Sequence, residues 1–260
     1  MKKVSNWVWA CAALVYAFLY LPLIIVVLFS FNDSNLNAEW VGFTFKWYEM
    51  LLQDEVMIEA AMHTLVIGFI TCIVATVLGT LAGFAMYKWR LRLLPALVLT
   101  PIAIPEILMG VALLIFFVML NMTLGLVSIT LSHIAFCIGF VAIVVRSRLQ
   151  GMDESLVEAA RDLGASPITA FRAITLPLIM PGIIAGALMA FTLSIDDFVI
   201  SFFTAGVGSN TLPLEIYSRV KVPMKLNPEV NAVSTLLMLL TLSLILVVSK
   251  VAPSALRAGD

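Results

Sequence analysis

The chain has 260 residues, 62% of them hydrophobic and only 12% charged, with a net charge of −1 and a mean hydropathy of +1.08. Soluble domains run roughly half apolar and a quarter charged, so a water-soluble globular domain is excluded although the length would suffice for its core. The near-zero net charge adds nothing, because an integral membrane protein sorts its charge by membrane side.

Six stretches are long enough to cross a hydrocarbon layer of roughly 30 Å as helices: 7–29, 61–87, 94–120, 125–146, 178–204 and 231–251. The first follows Lys2 and Lys3, as in a signal peptide. Its apolar run exceeds twenty residues, and no small-x-small site precedes Phe31-Asn32-Asp33-Ser34, so a retained span is expected. Residues 30–60 form a substantial acidic segment with Trp40, Trp47 and Tyr48 as interfacial anchors, and Trp47 to Leu52 reads as an amphipathic helix. In the third stretch Pro101 and Pro105 open the helix just before Glu106 and free backbone carbonyls, which is typical of a cavity-lining segment. A tight turn at Asn121-Met122-Thr123 leads to the fourth. Residues 205–230 contain Gly206, Gly208, Pro213, Pro223 and Pro228 and read as a structured loop. No linker or repeat divides the chain, so one membrane domain over 1–260 is expected, all-α with six transmembrane helices.

Basic residues set the orientation. An inside N-terminus places Lys2, Lys3, Lys88, Arg90, Arg92, Arg146, Arg148, Arg161, Arg172, Lys250 and Arg257 in the cytoplasm, against four (Lys46, Arg219, Lys221, Lys225) outside. The even number of spans then puts the C-terminus in the cytoplasm as well.

Residues 153–177 are polar yet lie between apolar stretches. Ser155 and Glu158 fit a capping box, with Ser155 as N-cap. The helix runs to Leu163, Gly164 suits a left-handed stop, Ser166-Pro167 restarts a helix and Pro177 marks its boundary. Read piecewise this is a well-capped connector. Read whole, between two spans, it is a rigid element on which small Ala159 and Ala160 let a partner approach closely.

Asp196 and Asp197 fall inside the fifth stretch, where an ionised Asp costs about 2.5–3.5 kcal/mol at mid-span. A rise of about 1.5 Å per residue from position 178 puts them about 27–30 Å along it, towards its outer end. Neighbouring helical residues diverge by about 100°, so at most one aims along a pore axis. Two readings stay open for Glu106, Asp196 and Asp197: a path for a cationic substrate, or pairing with Arg or Lys of a neighbouring subunit or helix capping. Phe198, Phe202, Phe203 and Tyr217 offer aromatic surface to methylene chains.

Three cysteines (Cys11, Cys72, Cys137) and two histidines seventy residues apart (His63, His133) form no metal-like spacing, so no metal site is assigned. None of the seven lysines follows a glycine, so the phosphate-binding loop G-x4-G-K-[ST] is absent and any ATP is hydrolysed elsewhere.

The run Glu158-Ala159-Ala160-x3-Gly164-x9-Ile174-x-Leu176-Pro177 resembles the loop by which permeases of ATP-binding-cassette importers dock on their ATPase. The resemblance extends over nearly the whole chain to spermidine/putrescine permeases. It rests on Trp40-Val41-Gly42-Phe43-Thr44-Phe45-Lys46-Trp47-Tyr48, Leu131-Ser132-His133-Ile134-Ala135-Phe136-Cys137, Phe191 to Asp197, Thr211 to Ser218 and Asn227 to Ala232. It departs at Val222-Pro223-Met224-Lys225-Leu226, where a shorter glycine-containing turn is expected, and this leaves spermidine against putrescine open.

The resemblance implies type I importer architecture and no enzyme activity, with Glu158, Ala159, Ala160 and Gly164 docking the ATPase. It also implies a second homologous permease, a dimeric cytoplasmic ATPase carrying ATP and Mg, and a soluble periplasmic polyamine-binding protein. The chain would bind no cofactor; its solvent is bacterial inner-membrane lipid, and no nucleic-acid partner is expected. The alternatives are an ATP-driven importer of another solute (ferric ion, thiamine, an anion), an ion-coupled carrier using Glu106 and Asp197, or a scaffold that leaves the acids unexplained.

Overall fold

Lipid cannot hydrogen-bond backbone, so a chain this apolar must satisfy its peptide groups internally. The computed structural model describes residues 6–34, 39–89, 93–221 and 228–251. Lys2, Lys3, Arg90, Arg92, Lys225 and Arg257 of the charge count, the Lys250 side chain, and the Val222–Leu226 departure lie outside what it describes. Among the described residues every regular element is helical, apart from an isolated antiparallel bridge between Asn32 and Phe43.

The helices are α1 (Asn6–Phe29), α2 (Lys46–Leu51), α3 (Glu55–Lys88), α4 (Leu93–Ala103), α5 (Glu106–Met119) and α6 (Leu126–Gln150). Then come α7 (Ser155–Asp162), α8 (Pro167–Ala170), a π-helical turn (Phe171–Thr175), α9 (Leu176–Ile195), α10 (Val199–Thr204), α11 (Leu212–Val220) and α12 (Glu229–Val251). Among the described residues five helices are long and apolar enough to cross a membrane, and a sixth crossing is made if α4 and α5 count as one.

Two expected spans take a different form. The third is bent by 109° between α4 and α5. Pro105 has no amide to donate and drives Ile104 out of the helical region, so the ladder cannot continue. The fifth begins earlier than expected: Pro167–Ile195 is one helical run. Pro177 therefore does not end a helix. Its ring denies a partner to the carbonyl four residues back, Ala173, and the π turn that contains Ala173 absorbs the mismatch.

The chain divides into two compact units, residues 1–58 with 215–242 and residues 59–214 with 243–260. In the larger unit α6 is the central helix, packed on α9 and α4, with Phe136, Cys137, Val141, Val145 and Leu149 fully or nearly buried. Small residues allow this contact, as is usual where lipid supplies no hydrophobic drive between helices. A Cβ added to Gly79 of α3 would lie 2.6 Å from the Val141 Cβ.

The smaller unit is organised around Asn32, which is buried and donates to the Glu39 carbonyl at 2.7 Å while accepting from the Val41 amide at 2.8 Å. Trp47 on α2 is buried too, its indole N–H donating to the Asn32 carbonyl at 2.7 Å. It is a core residue rather than the interfacial anchor expected of it. Trp40 remains exposed, while Phe31, Phe43, Phe45 and Tyr48 stack on one another. None of the described side chains of α1, Trp7 to Phe29, is buried, and they present apolar surface suited to lipid or another subunit.

Candidate functional site

The polar segment between α6 and α9 folds as helix, glycine break, helix. Asp153, not Ser155, starts it: its carboxylate accepts the Ser155 amide at 3.0 Å, and Ser155 is already the first helical residue. The expected capping box is therefore absent, because a side chain inside the first turn cannot reach back over its own amides. Hydrogen bonds from Ser155 hold the fully exposed Asp153 carboxyl below its ordinary range.

The stop at Gly164 forms as expected. Its φ is +91°, the Gly164 amide donates to the Arg161 carbonyl at 2.9 Å and the Ala165 amide to Ala160 at 3.0 Å. This is the glycine-closed C-terminus in which orphan carbonyls are satisfied by a chain reversal. Ser166 then accepts the Thr169 amide at 3.2 Å, with Pro167 at the first helical position.

Glu158, Ala159 and Gly164 are exposed and Ala160 is half-buried. Glu158, Arg161, Asp162, Gly164, Ala165 and Pro167 line an open concavity of about 490 Å³. Beside it Leu163 is 90% and Ile168 67% exposed, large apolar side chains on an otherwise polar element. The only mark these two carry in the sequence is an apolar residue on each flank of the break with no periodicity to bury it.

The segment is tied to α3 at two points. The Tyr87 hydroxyl donates to the Glu154 carboxylate, and Phe171 in the π turn meets Phe84 edge-on at 5.3 Å. The segment is thus bonded to α3 and continuous with α9.

The intramembrane acids lie at helix breaks. Glu106 is the exposed first residue of α5, just past the bend. Asp196 and Asp197 lie beyond the end of α9, in the break before α10, and not within a continuous span. They face differently. Asp196 is exposed and within electrostatic reach of Glu106; Asp197 is buried. Asp197 Oδ1 accepts the Ser201 amide at 2.8 Å, capping the first turn of α10, and lies 3.2 Å from Nε2 of His133.

His133 was read as isolated, and the fold makes it the buried partner of Asp197. The signal available was its position inside an apolar span, where an ionisable side chain needs a use or a partner. Its fellow His63 is bonded through Nδ1 to the Asn210 carbonyl at 3.0 Å, and Thr64 beside it accepts the Leu212 amide at 2.7 Å. Both help to hold the 205–212 segment.

Tyr217 belongs to the smaller unit. It lies half-exposed on α11, with the Lys221 ammonium 6.0 Å from its ring centre. On the same helix Arg219 gathers three carboxylates: Asp54, Glu215 at 2.9 Å and Glu229 at 3.1 Å. The Asp54 hydrogen bond raises the Arg219 pKa further above its usual high range, and the same bond holds the Asp54 carboxyl below its own.

Residues 75–256 match the family described as binding-protein-dependent transport system inner membrane component. The spermidine/putrescine transport system permease protein PotC of Escherichia coli K12 is 43% identical over 235 residues, 89% of this chain and 88% of that protein. The putrescine transport system permease protein PotI of the same strain is 40% identical over 244 residues, 90% of this chain and 86% of that one. Among solved structures, a chain of a bacterial ABC transporter involved in import of the acidic polysaccharide alginate superposes with a TM-score of 0.72 at 16% identity, over 96% of this chain and 99% of its own. A chain of the inward-facing MetNI methionine ABC transporter gives 0.66 at 22% identity, over 80% and 99%. At such identities the structural likeness carries the fold alone.

Proposed function

Because the chain belongs to the family of binding-protein-dependent transport system inner membrane components, we propose that it is one of the pore-forming permeases of an ATP-driven polyamine importer. The observation that carries this reading is the exposed helix–glycine–helix element continuous with α9 and bonded to α3, a surface built to receive a soluble partner and move two spans. Its likeness to spermidine and putrescine permeases supplies the solute class.

In this reading residues 1–260 make one permease domain with both termini in the cytoplasm, where the dimeric ATPase docks on Glu158, Ala159, Ala160 and Gly164. Leu163 and Ile168 add apolar contact beside the glycine break. A second, homologous permease completes the pore, and a soluble binding protein delivers substrate on the other side. ATP and Mg are held by the ATPase; the role of this chain is to couple and to conduct.

Asp196 and Glu106 give the path its sign. Two exposed carboxylates at helix breaks attract ammonium groups and repel anions, and the attraction strengthens as the path excludes water. Rigid-body motion transmitted through the docking element then exposes the path alternately to either side.

The experiment is uptake of labelled spermidine by cells that lack other polyamine importers and express this chain with its neighbouring subunits. A matched strain carries an ATPase-dead partner, and unlabelled putrescine is the competitor. Uptake that disappears with the dead ATPase is the expected result. An assembled complex that hydrolyses ATP yet takes up no polyamine would overturn the solute while leaving the importer.

A further inference from the structure

α6 is a continuous helix, and a fully buried histidine at its centre meets three side chains around the α9–α10 break. Nδ1 of His133 is 2.8 Å from the Ser194 hydroxyl, in the last turn of α9. Nε2 is 3.0 Å from the Ser201 hydroxyl, in the first turn of α10, and 3.2 Å from Asp197 Oδ1 in the break itself. The far end of α10 is fastened to the same helix, the Ser128 hydroxyl donating to the Thr204 carbonyl at 2.8 Å. α10 is thus held at both ends on α6 and packs along α5, the helix that Glu106 begins.

The α9 ladder ends at Asp196, whose amide donates to the Thr192 carbonyl at 3.2 Å, so the direction of Asp197, the next residue, is set by the partners of its side chain. Asp196 and Asp197 face two different surroundings, one open and one enclosed. Burying a carboxylate is tolerable only where donors meet it, and only Asp197 has them, from His133 and the Ser201 amide. We infer that His133 is a positioning residue for the path: by holding Asp197 inward it turns Asp196 outward, towards substrate. This rests on the reading of Asp196 as a substrate contact, but the orientation itself can be measured without that reading.

Two readouts separate the questions. The first is labelling of the complete importer by a charged thiol reagent, with Asp196→Cys introduced after removal of the native cysteines. His133→Asn is too short to reach Asp197, whereas His133→Gln places an amide near the Nε2 position. The labelling rate should fall about tenfold with His133→Asn, the factor for about 1.4 kcal/mol of preference, and recover with His133→Gln. Equal labelling in all three backgrounds would overturn the positioning role.

The second readout is spermidine uptake against concentration. His133→Asn should raise KM about tenfold with little change in the saturating rate, and should add nothing once Asp196→Asn is present, as for residues acting as a unit. A loss confined to the saturating rate, or effects of the two variants that simply multiply, would reduce His133 to a packing residue. Unchanged KM in Asp196→Asn alone would remove Asp196 from the path while leaving the labelling result to decide the positioning.

Discussion

Replacing Gly164 by valine isolates the cost of one backbone angle. At φ +91° a residue with a Cβ is strained, and no heavy atom lies within 4 Å of where that Cβ would stand, so within the chain the change carries strain and no collision. The left-handed region costs an L-residue about 1–2 kcal/mol, more when it is β-branched. A factor of ten corresponds to about 1.4 kcal/mol, so the glycine-closed turn falls to roughly a tenth of its relative population or less. What is lost is the turn that lets the Ala165 amide reach Ala160 and sets the direction of α8.

The same valine would also meet any partner seated in the concavity beside Gly164. Asparagine tolerates left-handed geometry better, so Gly164→Asn relieves much of the strain while keeping a bulky side chain. The assay is ATP-dependent spermidine uptake into proteoliposomes holding the whole importer, with ATPase rate measured in parallel. Gly164→Val should insert normally and lose uptake at least tenfold relative to ATP hydrolysed, and Gly164→Asn should lie between it and wild type. Wild-type coupling in Gly164→Val would refute both the strain argument and the docking assignment.

Three further outcomes are expected. Tyr87→Phe removes one hydroxyl from the α3 tie and leaves the Phe84–Phe171 contact; uptake per ATP should fall about threefold to tenfold with the complex intact, in line with about 0.5–1.5 kcal/mol for a solvent-exposed hydrogen bond, and unchanged coupling would show that the loop drives α9 alone. Gly79→Val would force a methyl-bearing carbon into Val141 and should destabilise the purified chain by about 1–3 kcal/mol, read as a lower melting temperature, whereas an unchanged melting temperature would contradict the α3–α6 contact. For the Arg219 cluster the sign follows from Asp54, whose carboxyl is held below its ordinary range. Its contribution is complete above the unfolded value, near pH 4, and is lost as pH falls through the lower folded value. Wild-type melting temperature should therefore drop on acidification below about pH 4. Arg219→Gln, with Asp54, Glu215 and Glu229 left facing one another, should be less stable at neutral pH and level or rising towards acid; an unaltered acid slope in that variant would sink the account.

The features legible in the sequence were those set by solvent and by nearest neighbours along the chain. A composition this apolar admits only helices through lipid, and the spans, the turn at Asn121 and the Gly164–Ser166–Pro167 break all follow from local geometry that three or four residues impose. Even the misplaced cap at Asp153 was a shift of two positions within one turn. Pro105 gave notice of a bend, although its 109° angle depends on what α5 packs against.

What only the tertiary structure decided is which side chains meet across distance in the chain. Asp196 and Asp197 look alike in a sequence, and they are separated by His133, more than sixty residues earlier, which has donors for only one of them. Tyr87 and Glu154, or Asp54 and Arg219, likewise carry no mark of their pairing. Local physics specifies a helix from within itself, whereas a buried charge is specified by whichever donor packing brings to it, and that is a property of the fold.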